Sequence, residues 1–156
     1  MKVLAIDTSN QAMSIAVLDD EKVIGEITTN IKRNHSERLM PAIDELMKDV
    51  QWQPSDLNRI VVAKGPGSYT GLRIGVTVAK TLAWTLGVEL VGISSLKTLA
   101  GNCESSPHYL VPLFDARRKN IYTGLYQWQN GELIQIEDDK HISAEQWAEY
   151  LSKKEG

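Results

Sequence analysis

Short apolar runs separated by brief polar turns occupy the start of the chain. Residues 3–6 form a continuous apolar run, which is typical of a buried central strand. Two further runs follow at residues 14–18 and 23–27, with a polar turn at residues 19–22 between them. Short strands joined by brief polar turns predict an antiparallel meander of three strands.

An amphipathic helix is predicted next. Its apolar residues recur at the spacing of one helical face, and they are Leu39, Ile43, Leu46, Met47 and Val50. Asn34 or Ser36 is the candidate N-cap, and Pro41 fits only near the first turn, where a missing amide costs least. Residues 60–63 then predict another buried strand.

A second helix is predicted to begin in the turn-rich segment 65–71, Gly-Pro-Gly-Ser-Tyr-Thr-Gly, and to end near Gly87. One apolar stripe along it comprises Leu72, Val76, Ala79, Ala83 and Leu86. A row of small residues, which permits close approach of a neighbour, comprises Gly71, Gly75, Ala79 and Ala83. Further apolar residues lie on its other sides: Ile74, Val78, Leu82 and Trp84. We expect this helix to be buried on two sides, against the sheet and against either a partner protein or an overlying loop or domain.

A strand at residues 90–93 and a short helix through Ala100 complete the order β-β-β-α-β-α-β-α, which is that of a ribonuclease-H-like α/β domain. The opening pattern then recurs with strands at residues 110–115, 121–126 and 133–136, the Asn130-Gly131 turn, and a last helix capped by Ser143 and Gln146. A duplicated domain of this kind is the architecture of the actin, sugar-kinase and Hsp70 superfamily.

The predicted domains are residues 1–104 and 105–156, and the second copy stops after its first helix. Either the sequence is truncated or the natural protein ends here, and the pattern favours truncation.

Composition places the chain among soluble proteins with a core, since 42% of its residues are hydrophobic and 24% are charged. The formal net charge of −3 lacks the basic surplus of a free-standing nucleic-acid binder, so any RNA contact needs a local patch or a partner's surface. The single cysteine fits a reducing compartment. No apolar run approaches the ~20 residues of a membrane span, so we expect a cytoplasmic protein without a membrane partner.

Two groups of polar residues could contact a phosphate, another anion or a nucleotide. The segment 65–71 lacks the Gly-Lys-Ser/Thr ending of a phosphate loop, so a structural turn is favoured over an anion site there. Aspartates at the ends of the two first strands hold metal-bridged phosphates in the superfamily, or alternatively cap the turns that follow. The candidates are Asp7, Thr8, Ser9, Gly67, Ser68, Asp115, Arg117 and Arg118.

The residues 117–119, Arg-Arg-Lys, are a local basic cluster that could meet phosphate, with a solvated turn as the alternative. They are also bulkier than the glycines expected in a nucleotide-binding member. The three histidines lie far apart, and no residues stand at metal-ligand spacing. The sequence therefore predicts neither a metal site nor a catalytic residue.

Five stretches resemble, in order, the TsaB/YeaZ family: residues 6–9, 35–39, 65–75, 94–96 and 115–118. The run 65–75 is the most specific of them. The resemblance implies a non-catalytic subunit that pairs with its catalytic paralogue TsaD. With the ATPase TsaE, that pair transfers a threonylcarbamoyl group to the tRNA adenosine 3′ of the anticodon. Catalytic members carry a His-x-x-x-His metal pair that residues 95–100 lack, so the metal chemistry is not carried over.

The resemblance also implies that the first two helices form the partner surface, and that the chain forms a homodimer when alone. The implied contact residues are Ser36, Leu39, Ile43, Met47, Gly71, Leu72, Arg73, Gly75, Val76, Ala79, Lys80 and Ala83. No cofactor is expected in this chain, with ATP or Mg²⁺ entering only through partners, and tRNA is contacted indirectly or within the complex. The alternative function is an ATP-dependent phosphotransferase or ATPase of the same superfamily; peptidase and metal-dependent nuclease activities have less support.

Overall fold

The computed structural model describes residues 1–31, 34–103 and 106–154. It contains two compact units, Met1–Ile93 and Ser94–Gly156. The predicted domain boundary, between residues 104 and 105, lies outside the described residues. No helix within the described ranges is both long and apolar enough to cross a membrane.

The first unit is built on a five-stranded mixed sheet with the order β3-β2-β1-β4-β5. Its strands are β1 (Lys2–Asp7), β2 (Met13–Asp19), β3 (Lys22–Thr29), β4 (Arg59–Ala63) and β5 (Glu89–Ile93). The pairs β1–β2 and β2–β3 are antiparallel, whereas β1–β4 and β4–β5 are parallel. This arrangement confirms the predicted meander and the parallel strands that follow it.

Two long helices connect these strands: α1 (His35–Asp49) leads from β3 to β4, and α2 (Tyr69–Leu86) leads from β4 to β5. Asn34, one of the two predicted caps of α1, occupies the N-cap position, but it is left-handed and its side chain makes no capping bond. The alternative, Ser36, is wrong because it already lies inside the helix. The backbone of α2 stops, as predicted, where Gly87 adopts the left-handed conformation at φ 66°.

The core of the first unit lies between this sheet and the two helices. Alternate residues of β2 point into it, which is the expected period of a strand with one buried face. The apolar stripe of α1 packs against them, and α2 contributes only small buried side chains. The buried members of this core include Leu4, Ile6, Met13, Ile15, Val17, Leu39, Ile43, Leu46, Met47, Ile60, Ala79 and Ala83.

The second unit contains a three-stranded antiparallel sheet with the order β6-β7-β8. Its elements are α3 (Ser95–Ala100), β6 (Leu113–Asp115), β7 (Asn120–Gln129), β8 (Glu132–Ser143) and α4 (Ala144–Ser152). The hairpin turn between β7 and β8 has left-handed Asn130 and Gly131 at φ 53° and 82°, as the sequence predicts. The strand meander of the first unit thus recurs in the second.

A polar cluster around the buried Tyr126 explains why β8 is longer than the apolar run 133–136 predicts. Tyr126 of β7 is fully buried, and its hydroxyl donates to the carboxylate of Asp139 on β8. Gln135 Nε2 donates to the same carboxylate over 3.2 Å, and the Ser94 hydroxyl donates to its second oxygen. Burial, reinforced by the bond to Asp139, raises the pKa of the Tyr126 hydroxyl above its ordinary value. These bonds stabilise pairing in a stretch whose polar sequence does not predict a strand.

Candidate functional site

The loop after β1 brings Asp7, Thr8 and Ser9 to the carboxyl end of the parallel strands. The Asp7 carboxylate accepts hydrogen bonds from the Ser9 amide at 2.9 Å and from the Ser9 hydroxyl at 2.6 Å. Asp7 therefore caps the turn that follows its strand, which is the structural alternative considered for it. Thr8 and Ser9 are fully buried.

The start of α2 is bonded to this loop. The Thr8 hydroxyl donates to the Gly71 carbonyl over 2.7 Å, and the Ser68 amide donates to the Ser9 carbonyl over 2.7 Å. Ser68 also caps α2, since its hydroxyl accepts from the Gly71 amide at 3.2 Å. Most polar groups proposed as anion contacts in the first unit are therefore bonded within the protein.

The glycines of the 65–75 run are explained by how closely α2 approaches this loop. A Cβ atom on Gly71 would lie 2.1 Å from the Thr8 carbonyl oxygen, and one on Gly75 would lie 2.3 Å from the Thr8 hydroxyl. One on Gly67 would lie 2.3 Å from the Ser9 carbonyl oxygen. No real Cβ atom fits at such distances, so packing alone accounts for these glycines, and an anion contact at Gly67 and Ser68 stays a prediction.

A polar cavity of about 520 Å³ lies beside the same loop. The first turns of α1 and α2 both line it, and the amide ends of helices favour negatively charged ligands. His35 Nε2 is 3.0 Å from the Asn10 carbonyl oxygen at its edge. The lining residues are Ser9, Asn10, Gln11, Asn34, His35, Ser36, Ser68, Thr70, Gly71 and Ile74.

The second candidate aspartate, Asp115, repeats the arrangement of Asp7. Its carboxylate accepts a hydrogen bond from the Arg117 amide at 2.8 Å, so it too caps the turn after a first strand. The structure places Arg117, Arg118 and Lys119 in that turn with all three side chains exposed. Asp115, Arg117 and Arg118 therefore lie together, in the second unit.

The predicted partner residues do not share one exposed face, and this part of the prediction needs correction. The apolar stripe of α1 and the small residues of α2 face the unit's own core because the sheet covers them. The buried residues are Leu39, Ile43, Met47, Gly71, Gly75, Ala79 and Ala83. Leu72 and Val76 are half-buried, and only Ser36, Arg73 and Lys80 are exposed.

Two apolar grooves border α2 instead. The α1–α2 groove, of about 450 Å³, is lined mainly by Met40, Ile43, Met47, Trp52, Leu57, Leu82 and Leu86, with Asp44 and Lys48 among its polar residues. The α2–β5 groove, of about 830 Å³, is lined by Lys80, Thr81, Ala83, Trp84, Gly87, Val88 and Leu90. The exposed Met40 was missed by the sequence reasoning because it lies outside the apolar stripe of α1.

No group of three metal-binding side chains occurs among the residues that the structure describes. The three histidines accordingly have separate surroundings: His35 meets the Asn10 carbonyl, His141 packs against the Tyr122 ring, and His108 is exposed in a loop.

A family model and several similar proteins carry related names. The sequence model of the family described as TsaD, tRNA N6-adenosine threonylcarbamoyltransferase, matches residues 22–155. The tRNA threonylcarbamoyladenosine biosynthesis protein TsaB of Bacillus subtilis is 52% identical over 99% of this chain. The protein of the same name from Escherichia coli is 31% identical over 81% of this chain.

The structural comparison agrees with these matches. YeaZ from Pseudomonas aeruginosa superposes with a TM-score of 0.84 at 31% identity, covering 90% of this chain and 67% of that protein. The chain spans 68% of the length of the Bacillus subtilis relative and 55% of the Escherichia coli one. Both comparisons confirm the resemblance and the ribonuclease-H-like α/β fold: the chain belongs to the TsaB/YeaZ family of tRNA threonylcarbamoyladenosine biosynthesis proteins.

Proposed function

We propose that this chain is the non-catalytic partner subunit of a threonylcarbamoyl-transfer complex in the cytoplasm. It pairs with a TsaD-type catalytic paralogue and works with a TsaE-type ATPase, and the complex modifies the tRNA adenosine 3′ of the anticodon. ATP and Mg²⁺ enter through the partners. Besides family membership, the observation that carries this proposal is the open α1–α2 groove.

The α1–α2 groove has the composition of a protein-binding surface. Met40 at its rim is 44% exposed, and the half-buried Leu82 and Leu86 continue the apolar lining from α2. Asp44 and Lys48 form an ion pair at 2.6 Å beside it. An apolar centre with a charged rim is typical of the core and edge of a protein interface.

The internal bonds of the loop after β1 also support a subunit that acts by pairing. Asp7 is bonded to Ser9, and Thr8 is bonded to Gly71, so these side chains are occupied in positioning α2. Both bonds from Ser9 end on Oδ1 of Asp7, which fixes the carboxylate at the start of the turn. The loop after β1 thus positions α2, and Leu82 and Leu86 of α2 line the α1–α2 groove.

Capture of a tagged TsaD-type protein by variants of this chain tests the proposal. Met40→Glu places a carboxylate in the apolar rim next to Asp44, and we expect capture to fall at least about tenfold. Trp84→Glu is the matched control, since Trp84 is 89% exposed on the α2–β5 groove and its replacement leaves the α1–α2 groove intact. Equal far-ultraviolet circular dichroism would establish that both variants fold.

Full capture by Met40→Glu, with loss in Trp84→Glu, would place pairing on the other groove and contradict the proposed surface. No capture by the wild-type chain would reject the pairing itself.

The alternative function, an ATP-dependent phosphotransferase or ATPase, is favoured by one observation. The 520 Å³ cavity is polar and is lined by two helix N-termini, which suit a phosphate group. Calorimetry with Mg-ATP separates the two functions: micromolar binding to this chain alone would support the phosphotransferase, and a partner subunit requires none.

A further inference from the structure

A turn of three consecutive basic residues, Arg117, Arg118 and Lys119, joins β6 to β7 and is called here the basic turn. All three residues are exposed, and their φ angles are 67°, 51° and 63°. Successive left-handed residues with long side chains are uncommon, because each costs roughly 1 kcal/mol relative to the right-handed conformation. The surrounding hydrogen bonds must offset that cost.

Bonds at both ends fix the backbone of the basic turn. The Asn120 amide donates to the Arg117 carbonyl, and the Ala116 amide donates to the Asn120 carbonyl, both over 2.9 Å. The Ala144 amide at the start of α4 donates to the Lys119 carbonyl over 2.9 Å. The backbone is thus held by β7 and α4, while the three charged ends stay in solvent.

No ion pair with another described residue neutralises the positive charge of the basic turn. Within the described ranges, the ion pairs involve other cations: the N-terminus, Lys2, Lys48, Arg59, Lys140, Lys153 and Lys154. The nearby Asp115 carboxylate accepts a bond from the Arg117 amide, at the base of the turn. Three adjacent cations without an ion-pair partner in the described part of the chain are notable where the formal net charge is −3.

We propose that the basic turn binds the phosphodiester backbone of RNA. Arginine guanidinium groups bind phosphate oxygens through paired hydrogen bonds, and lysine adds a point charge. A mononucleotide site is less suitable, because its phosphates need backbone amides that small residues leave accessible, and these three residues are bulky. The inference deepens the proposed function and rests on it only in naming tRNA as the RNA.

Fluorescence anisotropy of labelled tRNA titrated with the full chain tests this inference. The charge-free variant is Arg117→Asn, Arg118→Asn, Lys119→Asn, since asparagine tolerates left-handed φ angles and so preserves the turn. The control variant is Lys22→Gln, Lys97→Gln, Lys153→Gln, which removes the same number of positive charges from exposed sites elsewhere. Both variants therefore carry the same net charge.

At about 50 mM salt, we expect the charge-free variant to bind at least about tenfold more weakly than wild type and the control to change less than about threefold. The slope of log affinity against log salt should become less negative by about 2 in the charge-free variant. Arg117→Lys with Arg118→Lys keeps the charge and should recover most of the binding.

If the charge-free and control variants lose tRNA affinity equally, net charge alone explains the effect and the inference is overturned. Absence of tRNA binding by the wild-type chain would overturn it as well. Loss of Mg-ATP binding with unchanged tRNA binding would assign the turn to nucleotide phosphates and overturn it too. Capture of the TsaD-type protein, measured on the same variants, reports separately on the proposed function.

Discussion

At the scale of single residues, Thr8 determines how closely α2 can approach the sheet. Its hydroxyl donates to the Gly71 carbonyl over 2.7 Å, and it also occupies the space that a Cβ atom on Gly75 would need. The Thr8 side chain thus binds the first turn of α2 and excludes any residue larger than glycine at position 75. The Gly-rich run that identifies the family is, at this position, a packing requirement.

Gly75→Ala should lower the free energy of unfolding by about 1–3 kcal/mol, since the new methyl group meets the Thr8 hydroxyl. Thr8→Ala alone should cost about 1–3 kcal/mol, because it removes a buried hydrogen bond and a buried methyl group. The double variant should lose clearly less than the sum, as the clash disappears with the hydroxyl. Urea unfolding followed by circular dichroism measures all three values.

Gly87→Ala is the control for this cycle, because nothing lies within 4 Å of its added Cβ atom and its cost comes from the left-handed backbone. Its effect should add to that of Thr8→Ala. If Gly75→Ala is also simply additive with Thr8→Ala, the close contact does not explain the glycine.

At the scale of elements, Ser94 joins α3 to β8. Its hydroxyl accepts from the amides of Leu96 and Lys97, both at 3.2 Å, and donates to the Asp139 carboxylate. Ser143 caps α4 more simply, accepting only from the Gln146 amide at 3.1 Å. The two caps have the same chemistry at the helix, but only Ser94 also satisfies a carboxylate in the strand.

Ser94→Ala should therefore cost more than Ser143→Ala in free energy of unfolding. We expect about 2–4 kcal/mol for the first, because a cap and a bond to a charged group are both lost, and about 1 kcal/mol for the second. Thermal unfolding of the two variants in one buffer gives the comparison. Equal costs would mean that Asp139 finds another donor when Ser94 is removed.

The elements that follow from local pattern were predicted, and those that depend on distant contacts were not. The apolar stripe of α1 and the Asn130-Gly131 turn are each recognisable from a short segment of sequence, so both were predicted. The extension of β8 depends on Asp139 meeting Ser94, which lies 45 residues away in the sequence. The absent cap of α1 has a similar origin, since tertiary packing positions that helix without a side-chain bond at Asn34.

At the scale of the whole molecule, the sequence predicted a helix with two buried sides but assigned the wrong side to a partner. The small residues Gly75 and Ala79 of α2 face its own sheet, and the grooves lie along its other sides. A row of small residues indicates that some neighbour is close without indicating which one. For the same reason, the half-buried Val76 is a poorer site for a disruptive charge than the exposed Met40.

Self-association through the α1–α2 groove is expected when no paralogue is present. Sedimentation equilibrium should give a dimer for the wild-type chain, and Met40→Glu should raise the dissociation constant at least about tenfold, equivalent to about 1.4 kcal/mol. Trp84→Glu should leave it unchanged. A stable interface would bury about 800 Å² on each copy. A monomeric wild-type chain at high concentration would contradict this expectation.

The bond between the Ser68 amide and the Ser9 carbonyl also affects how this end of the first unit opens. Together with the bond from Thr8 to Gly71, it ties two segments that are remote in sequence into one cooperative unit. Unfolding of the first turn of α2 would break both bonds and expose Thr8 and Ser9. Displacement of Thr8 and Ser9 would in turn remove the same two bonds from the first turn of α2. We therefore expect the loop after β1 and the first turn of α2 to open together and not one at a time.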